Sequence, residues 1–380
     1  MSSKLKIGLV LDDSLDKPDG VQQYVLILGE WLAAQGNDVH YLVGETHRSD
    51  LANLHSLARN VKVRFNRNRM AIPLPANLRK IRGLLEREQF DVLHVQVPYS
   101  PALAGRIIKA AGPQTAVVGT FHILPHSRLV TLANRTLSRA VRSSLKRFDV
   151  ICSNSQASAE FAKKTFRTDG PVIPLPLNLQ KFYGAKPFAK YRSGKTVMFL
   201  GRLVERKGCQ YLLRAVVHAV KSGTWPKDAR VVVCGAGHMG AALKRYVAAQ
   251  KLNHIVEFAG YISEQDKPRY LASSDVVVYP STGGESFGIV LLEAMAGSPG
   301  VVLAGNNPGY ASVMAPRPES LFDPHDIPAL SEKIVQALAD TGLNKEANTW
   351  QRGYIHQFDT AVVGKQIVDL YKQALHKRRA

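Results

Sequence analysis

Gly283-Gly-Glu-Ser-Phe-Gly-Ile-Val-Leu-Leu-Glu293 is the stretch on which the reading of this chain turns. It follows the apolar run Val276–Tyr279 and the short loop Pro280-Ser-Thr. Four β-branched or aromatic residues in a row predict a buried strand, and Phe287 to Ala296 reads as the helix that follows it. The two leading glycines let the backbone come close to a ligand. A helix N-terminus presents unpaired N–H groups and a partial positive charge, which suits a diphosphate. Glu285 stands at that end, where a carboxylate accepts hydrogen bonds from ligand hydroxyls. Glu293 falls about 80° around the helix by its 3.6-residue period, so both carboxylates can serve one elongated ligand. Taken alone, the same residues also describe an ordinary helix with an acidic first turn.

The next signal lies upstream. The strand-like run Thr196–Leu200 leads into Gly201-Arg-Leu-Val-Glu-Arg-Lys-Gly208, a glycine-bounded loop carrying Arg202 and Lys207. Fixed cations there would stabilise a leaving group that gains negative charge, and more so in the transition state than before it. A solvated basic loop in a chain of net charge +20 is the alternative.

Further short apolar runs repeat along the chain at Lys6–Leu11, Asp38–Val43, Val92–Val95, Ala116–Thr120, Val150–Ser153, Arg230–Cys234, Ile255–Ala259 and Gly300–Leu303. Helical patterns separate them, which predicts βαβ units and parallel sheets buried on both faces. Three prolines in Pro171-Val-Ile-Pro-Leu-Pro176 mark a connector near the middle. The expectation is an α/β chain of two Rossmann-like domains, 1–172 and 173–359, facing across a cleft with the ligand at the C-terminal ends of the strands. The last helix, 360–380, has no strand after it and is free to complete the first domain.

Gly20, Gly201-Arg-Leu, Lys207-Gly and Glu285-Ser-Phe-Gly-Ile-Val-Leu-Leu-Glu293 together resemble the retaining glycosyltransferases of family 4, which have the GT-B fold. Asp16-Lys-Pro-Asp-Gly-Val-Gln22, Phe90-Asp-Val-Leu-His94 and Thr120-Phe-His122 are similar to the branch that adds mannose to inositol lipids. The resemblance implies that Arg202 and Lys207 bind the donor diphosphate and that Glu285 holds the donor sugar with the Phe287, Gly288 and Ile289 backbone. It implies that Glu293 binds the ribose, that Ile262 and Lys267 lie near the base, and that Gly20 closes on the phosphates. His122 would hydrogen-bond the donor sugar, and Gln22 and Arg128 would lie on the acceptor side. The implied reaction is transfer of a hexose, mannose from GDP-mannose, to a membrane-associated lipid such as phosphatidylinositol, with no cofactor and no metal. A UDP-sugar with a soluble or polyprenyl-linked acceptor is the alternative within the family. The match thins on the acceptor side, where the chain has Asp19-Gly20 in place of two glycines, Asp13 in place of an aromatic residue, and Pro176-Leu-Asn-Leu-Gln after the connector.

Composition narrows the rest. No run approaches the roughly 20 apolar residues of a membrane-spanning helix, and the N-terminal apolar run is too short for a signal peptide. Cys152, Cys209 and Cys234 are scattered, which predicts a reduced, cytoplasmic protein. Gly235-Ala-Gly-His-Met-Gly240 with Glu257 imitates a nicotinamide-dinucleotide fingerprint, and so an NAD-dependent dehydrogenase. Against that, the motif does not follow the first strand of its domain, and Glu257 falls inside a strand.

Positive charge is concentrated. Arg59 to Arg82 carries eight Lys/Arg and Arg128 to Arg147 six, with no acid in either stretch. Arg128, Arg135, Arg139, Arg142 and Lys146 share one helical face, and Val130, Ala133, Leu137, Val141 and Leu145 another. A basic amphipathic helix suits an anionic bilayer, so Arg79, Lys80 and Arg82 are expected to face the cytoplasmic side of a membrane to which the protein is peripheral. A core-packed helix with a merely solvated basic face fits the same pattern, and a non-catalytic binder of anionic surfaces is the alternative outside the enzyme classes. No nucleic-acid-binding module is present.

Overall fold

A computed structural model describes residues 4–16, 19–65, 68–73, 76–96, 98–122, 134 and 136–380, with the side chains of 60–75 outside that description. The chain forms two compact units, Met1–Pro176 with Thr360–Ala380, and Leu177–Asp359. Each holds a parallel six-stranded sheet.

The first sheet runs β3-β2-β1-β6-β7-β8, with β1 Lys6–Leu11, β2 Asp38–Val43, β3 Leu54–Ser56, β6 Val92–Val95, β7 Ala116–Phe121 and β8 Val150–Ser153. An antiparallel hairpin, β4 Asn60–Phe65 and β5 Asn68–Pro73, stands apart from it. The sequence reading passed over β3, β4 and β5. Helices Leu78–Glu88, Leu103–Ala110 and Gln156–Phe166 share a core with Val10, Leu93, Val95, Val117 and Phe121. Helices Gly20–Ala34 and Thr360–Arg379 pack together, so tightly that a Cβ on Gly364 would stand 2.4 Å from the Trp31 ring. The last helix is also tied to the sheet by polar groups: Tyr371 hydroxyl to His94 Nδ1 at 2.8 Å, and Arg378 to the buried Asp149 carboxylate.

The chain leaves the first unit after Pro176, beyond the expected boundary at residue 172. The reason is local. Ser153 N–H donates to Pro171 O at 3.1 Å and Ile173 N–H to Ser153 O at 2.9 Å, so the proline run still clings to the edge of β8. Leu177 then donates to Phe358 O at 2.8 Å, and the entering and leaving segments of the second unit lie side by side.

The second sheet runs β11-β10-β9-β12-β13-β14, with β9 Lys195–Leu200, β10 Ala229–Cys234, β11 Val256–Gly260, β12 Val276–Tyr279, β13 Val301–Gly305 and β14 Leu321–Phe322. All four residues of β12 are buried, as a strand covered on both faces requires. Val276 and Val278 join Val197, Phe199, Leu212, Val216 and Ile334 in one core. In both sheets the order reverses beside the first strand of the unit, between β1 and β6 and between β9 and β12. Loops part at such a switch point and leave a crevice at the C-terminal strand ends.

Candidate active site

At the switch point of the second sheet, the loop after β9 and the loop after β12 lock together. Thr282 N–H donates to Arg206 O at 2.9 Å, and Ser281 Oγ lies 3.0 Å from the same oxygen, its one proton shared with Glu285. Gly208 ends the short 3-10 turn Glu205–Lys207 at φ +76°, and a Cβ there would lie 1.7 Å from Pro280 O. Only glycine allows the two backbones this close. Asn307 secures the far side by donating to Ser281 O at 3.1 Å while its side chain caps helix Pro308–Met314.

Three donors converge on one oxygen of Glu285. Arg206 Nη1 is 2.6 Å from Oε1, Lys207 Nζ 2.9 Å and Ser281 Oγ 3.0 Å. Burial alone would raise the Glu285 carboxyl, but Lys207 and Arg206 bring it below its ordinary range. Lys207 is pushed down by burial, and Arg206 and Arg202 act the same way against the pull of Glu285. Arg202 is exposed beside them. Lys207 is one side of a largely buried ion pair with Glu285. Arg206, which the sequence reading left unassigned inside its own motif, is a full member of the cluster.

The helix after β12 begins at Ile289, not at Phe287, because Gly288 at φ +107° is its N-cap and a Cβ there would strike the Tyr310 ring at 2.6 Å. Glu285 therefore precedes the helix, and the expected arc between Glu285 and Glu293 does not apply. No side-chain hydrogen bond caps this N-terminus, and an uncapped helix start suits an anion. Phe287 is buried against Phe358 and offers a ligand only its backbone. Glu293 is buried in a separate pair, 2.7 Å from Lys267 Nζ, which also reaches Glu264 at 2.7 Å. Burial raises the Glu293 carboxyl. It would lower the Lys267 ammonium, but Glu293 and Glu264 hold it above its ordinary value. Ile262 is half-buried just before this pair.

The dinucleotide-like loop has another use. A Cβ on Gly235 would lie 1.9 Å from Gly201 O and one on Gly237 2.2 Å from Leu203 O, so these glycines let the loop pack onto the Arg202 segment. Glu257 is taken up by Lys190 at 2.6 Å and the Tyr191 hydroxyl at 2.8 Å.

In the first unit the polar residues gather at the switch point between β1 and β6. Gly20 opens its helix without a side-chain cap, and a Cβ there would meet nothing within 4 Å. Gln22 is buried and donates to Asp13 Oδ2 at 3.1 Å. Asp12 accepts from Ala104 N–H at 2.6 Å and from Ser100, and burial raises its carboxyl to about 6. His122 follows β7 and is buried. Its Nε2 lies 2.9 Å from Gln96 Oε1, and burial lowers its pKa to about 3. Gln96 had no place in the sequence reading. Arg128 lies outside the described residues, as does Arg135.

Arg79, Lys80 and Arg82 are exposed on helix Leu78–Glu88, whose N-cap Asn77 accepts from the Arg79 and Lys80 N–H groups. Arg139, Arg142 and Lys146 are exposed too. Val141 and Leu145 are in the core, and Leu137 packs against it. Among the described residues, the apolar side of this segment is thus packed within the protein and the basic residues are outward. Val130 and Ala133 fall outside the described residues. Among the described residues no helix is long and apolar enough to cross a membrane.

Two family descriptions match the chain, Glycosyltransferase Family 4 over residues 18–181 and Glycosyl transferases group 1 over residues 185–354. The chain is 30% identical over 378 residues to the phosphatidyl-myo-inositol mannosyltransferase of Mycobacterium tuberculosis, covering 97% of each. It is 31% identical over 389 residues to the protein of that name from Propionibacterium freudenreichii, covering 97% of this chain and 95% of the relative. Among solved structures, sucrose-phosphate synthase from Thermosynechococcus elongatus aligns with a TM-score of 0.74 at 20% identity, covering 97% of this chain and 99% of that one. HepE of Anabaena, solved in complex with UDP, aligns at 0.72 and 17%, covering 96% and 99%. At those identities the likeness concerns the fold, and the fold is GT-B.

Proposed function

The chain belongs to the GT-B glycosyltransferases of family 4, and from that membership we propose that it moves mannose from GDP-mannose onto a membrane-associated lipid such as phosphatidylinositol, with retention of anomeric configuration and without a metal. The observation that carries the sugar and the acceptor is the 30% identity along 97% of both chains to mannosyltransferases of phosphatidyl-myo-inositol.

On this reading the Arg202–Arg206–Lys207 cluster receives the donor diphosphate. As the glycosidic bond breaks, the diphosphate gains negative charge, and fixed cations stabilise that state more than the ground state. Glu285, kept ionised by the same cations, accepts hydrogen bonds from the sugar hydroxyls. The Phe287, Gly288 and Ile289 backbone supports them, and the Gly20 backbone addresses the phosphates. Glu293 accepts from the ribose, with Lys267 and Ile262 toward the base. His122 meets the donor sugar and Gln22 lies on the acceptor side. Positive charge comes from side chains, so no bridging cation is called for. The basic face around Arg79, Lys80 and Arg82 docks on the anionic cytoplasmic leaflet, where the acceptor lipid resides.

The test is transfer of labelled sugar into vesicles with and without phosphatidylinositol, from GDP-mannose and from UDP-sugars. Lipid label is expected only with GDP-mannose and phosphatidylinositol together, undiminished by excess EDTA, and with the anomeric configuration of the donor. Transfer from a UDP-sugar to a soluble acceptor would replace this reading with the other one open to the family.

A further inference from the structure

Beneath His122 lies a side chain whose chemistry decides what the imidazole can do. Gln96 is fully buried just after β6. Its amide nitrogen faces the His94 carbonyl at 3.4 Å, a long contact, and its amide oxygen faces His122. That oxygen is 2.9 Å from His122 Nε2. A carboxamide oxygen only accepts, so the facing ring nitrogen must carry the proton. In a neutral imidazole the other nitrogen, Nδ1, then holds a lone pair and accepts. Asn154 presents its side-chain N–H₂ to Nδ1 at 3.5 Å, a donor on the correct side but beyond the distance of a good hydrogen bond. Tyr24 sets its ring edge-on to the imidazole, centroids 4.9 Å apart, and holds the ring plane.

We propose that Gln96 is a positioning residue that locks His122 as the Nε2–H tautomer, so that a sugar hydroxyl is met by an acceptor at Nδ1. The proposal rests on the reading of the chain as a sugar transferase, since it takes the ligand to be a sugar. Burial keeps the ring neutral, so it has no second proton to offer. The weak bond from Asn154 is the one a substrate hydroxyl replaces, because the short bond to Gln96 stays in place. An acceptor at this point selects a ligand atom that bears a hydrogen. It discriminates a hydroxyl from a fluorine or a methoxy group, which leave the lone pair unmatched.

The experiment is long-range ¹H–¹⁵N spectroscopy of the ¹⁵N-labelled full chain at pH 7, with the His122 signals assigned by their loss in His122→Asn. The expected spectrum shows a protonated Nε2 and a bare Nδ1, retained in Gln96→Glu, which keeps an acceptor, and mixed with the Nδ1–H form in Gln96→Leu. In transfer assays Gln96→Leu is expected to lower kcat/KM about tenfold, the worth of one neutral hydrogen bond. Gln96→Glu should recover most of that loss, and the Kd for nucleoside diphosphate alone should not move in either variant. An Nδ1–H or doubly protonated ring in the unsubstituted chain overturns the proposal even if neither Gln96 variant folds. Equal kcat/KM in Gln96→Leu and the parent overturns the positioning role. If the lock is seen and no sugar nucleotide is turned over, the sugar-transferase reading falls and the acceptor role at Nδ1 falls with it.

Discussion

Arg206, Lys207 and Ser281 converge on a single oxygen of Glu285, so one of the cluster's positive charges is offset before any ligand arrives and the cluster stays net positive. A diphosphate entering it adds negative charge to a group of three cations and one acid, which is why losing a cation there should be felt in turnover. Lys207→Ala is expected to lower kcat about a hundredfold, roughly 3 kcal/mol of transition-state stabilisation. The check is a steady-state assay on variant protein whose circular dichroism matches the parent. Near-normal kcat would remove Lys207 from the diphosphate role. Much of this cluster was legible beforehand, because glycine-bounded basic loops and the Glu285–Glu293 stretch have a sequence signature. Arg206 was passed over because spacing alone does not say which of three neighbouring basic residues points inward. Gln96 left no trace, since its effect depends on where a carboxamide oxygen is aimed, and only the fold decides that.

At the scale of elements, every strand read from an apolar run is present to within two residues, because strands buried on both faces must be apolar without a break. The short strands β3 and β14 carry too few residues to register. The hairpin did leave a signal in the alternation Val61-Lys-Val63-Arg-Phe65, which its dense positive charge makes equally characteristic of a solvated basic segment. Helix Leu78–Glu88 is the element whose charges oppose its own stability. Arg79 and Lys80 sit at its positive end with Arg82 just behind them and no acid in the first turn, while Glu86 and Glu88 lie at its negative end, where Arg87 offsets one of them. Each misplaced charge costs about 0.3–1 kcal/mol at low salt. Replacing all three by glutamine, which keeps helix propensity, is expected to stabilise the chain by about 1 kcal/mol. It should also weaken sedimentation with phosphatidylglycerol vesicles, an attraction that in the parent fades as salt shortens the roughly 8 Å Debye length. Denaturant melts and co-sedimentation read the two effects separately. A triple variant that sediments like the parent would return this face to the role of a solvated surface.

For the whole molecule, acid should act unevenly. His94 and His122 are both buried and both held near 3 by burial. Below pH 6.5 the unfolded chain takes up protons that the folded first unit refuses, so stability falls as pH drops, by about 1.4 kcal/mol per unit for each histidine. Asp12 works the other way. Its folded value of about 6 lies above the unfolded 3.8, so its contribution is lost as pH rises between those values and offsets one histidine there. His40 and His55, lowered chiefly by burial, add to the loss on acidification. The second unit has no counterpart to these buried histidines among the described residues. Calorimetry from pH 7 to pH 4.5 is expected to move the melting of the first unit down while the second lags behind. Parallel shifts would contradict this. The helix Thr360–Arg379 carries a further consequence. Because it fills the first unit, that unit has its beginning and its end on either side of the second. On the ribosome the sheet β9–β14 can be finished as soon as Asp359 emerges, while the first sheet waits uncovered beside Trp31 for a helix still to be made. The half synthesised later is thus the half that can mature earlier, and the first unit's exposed apolar face in that interval is the natural target for chaperones.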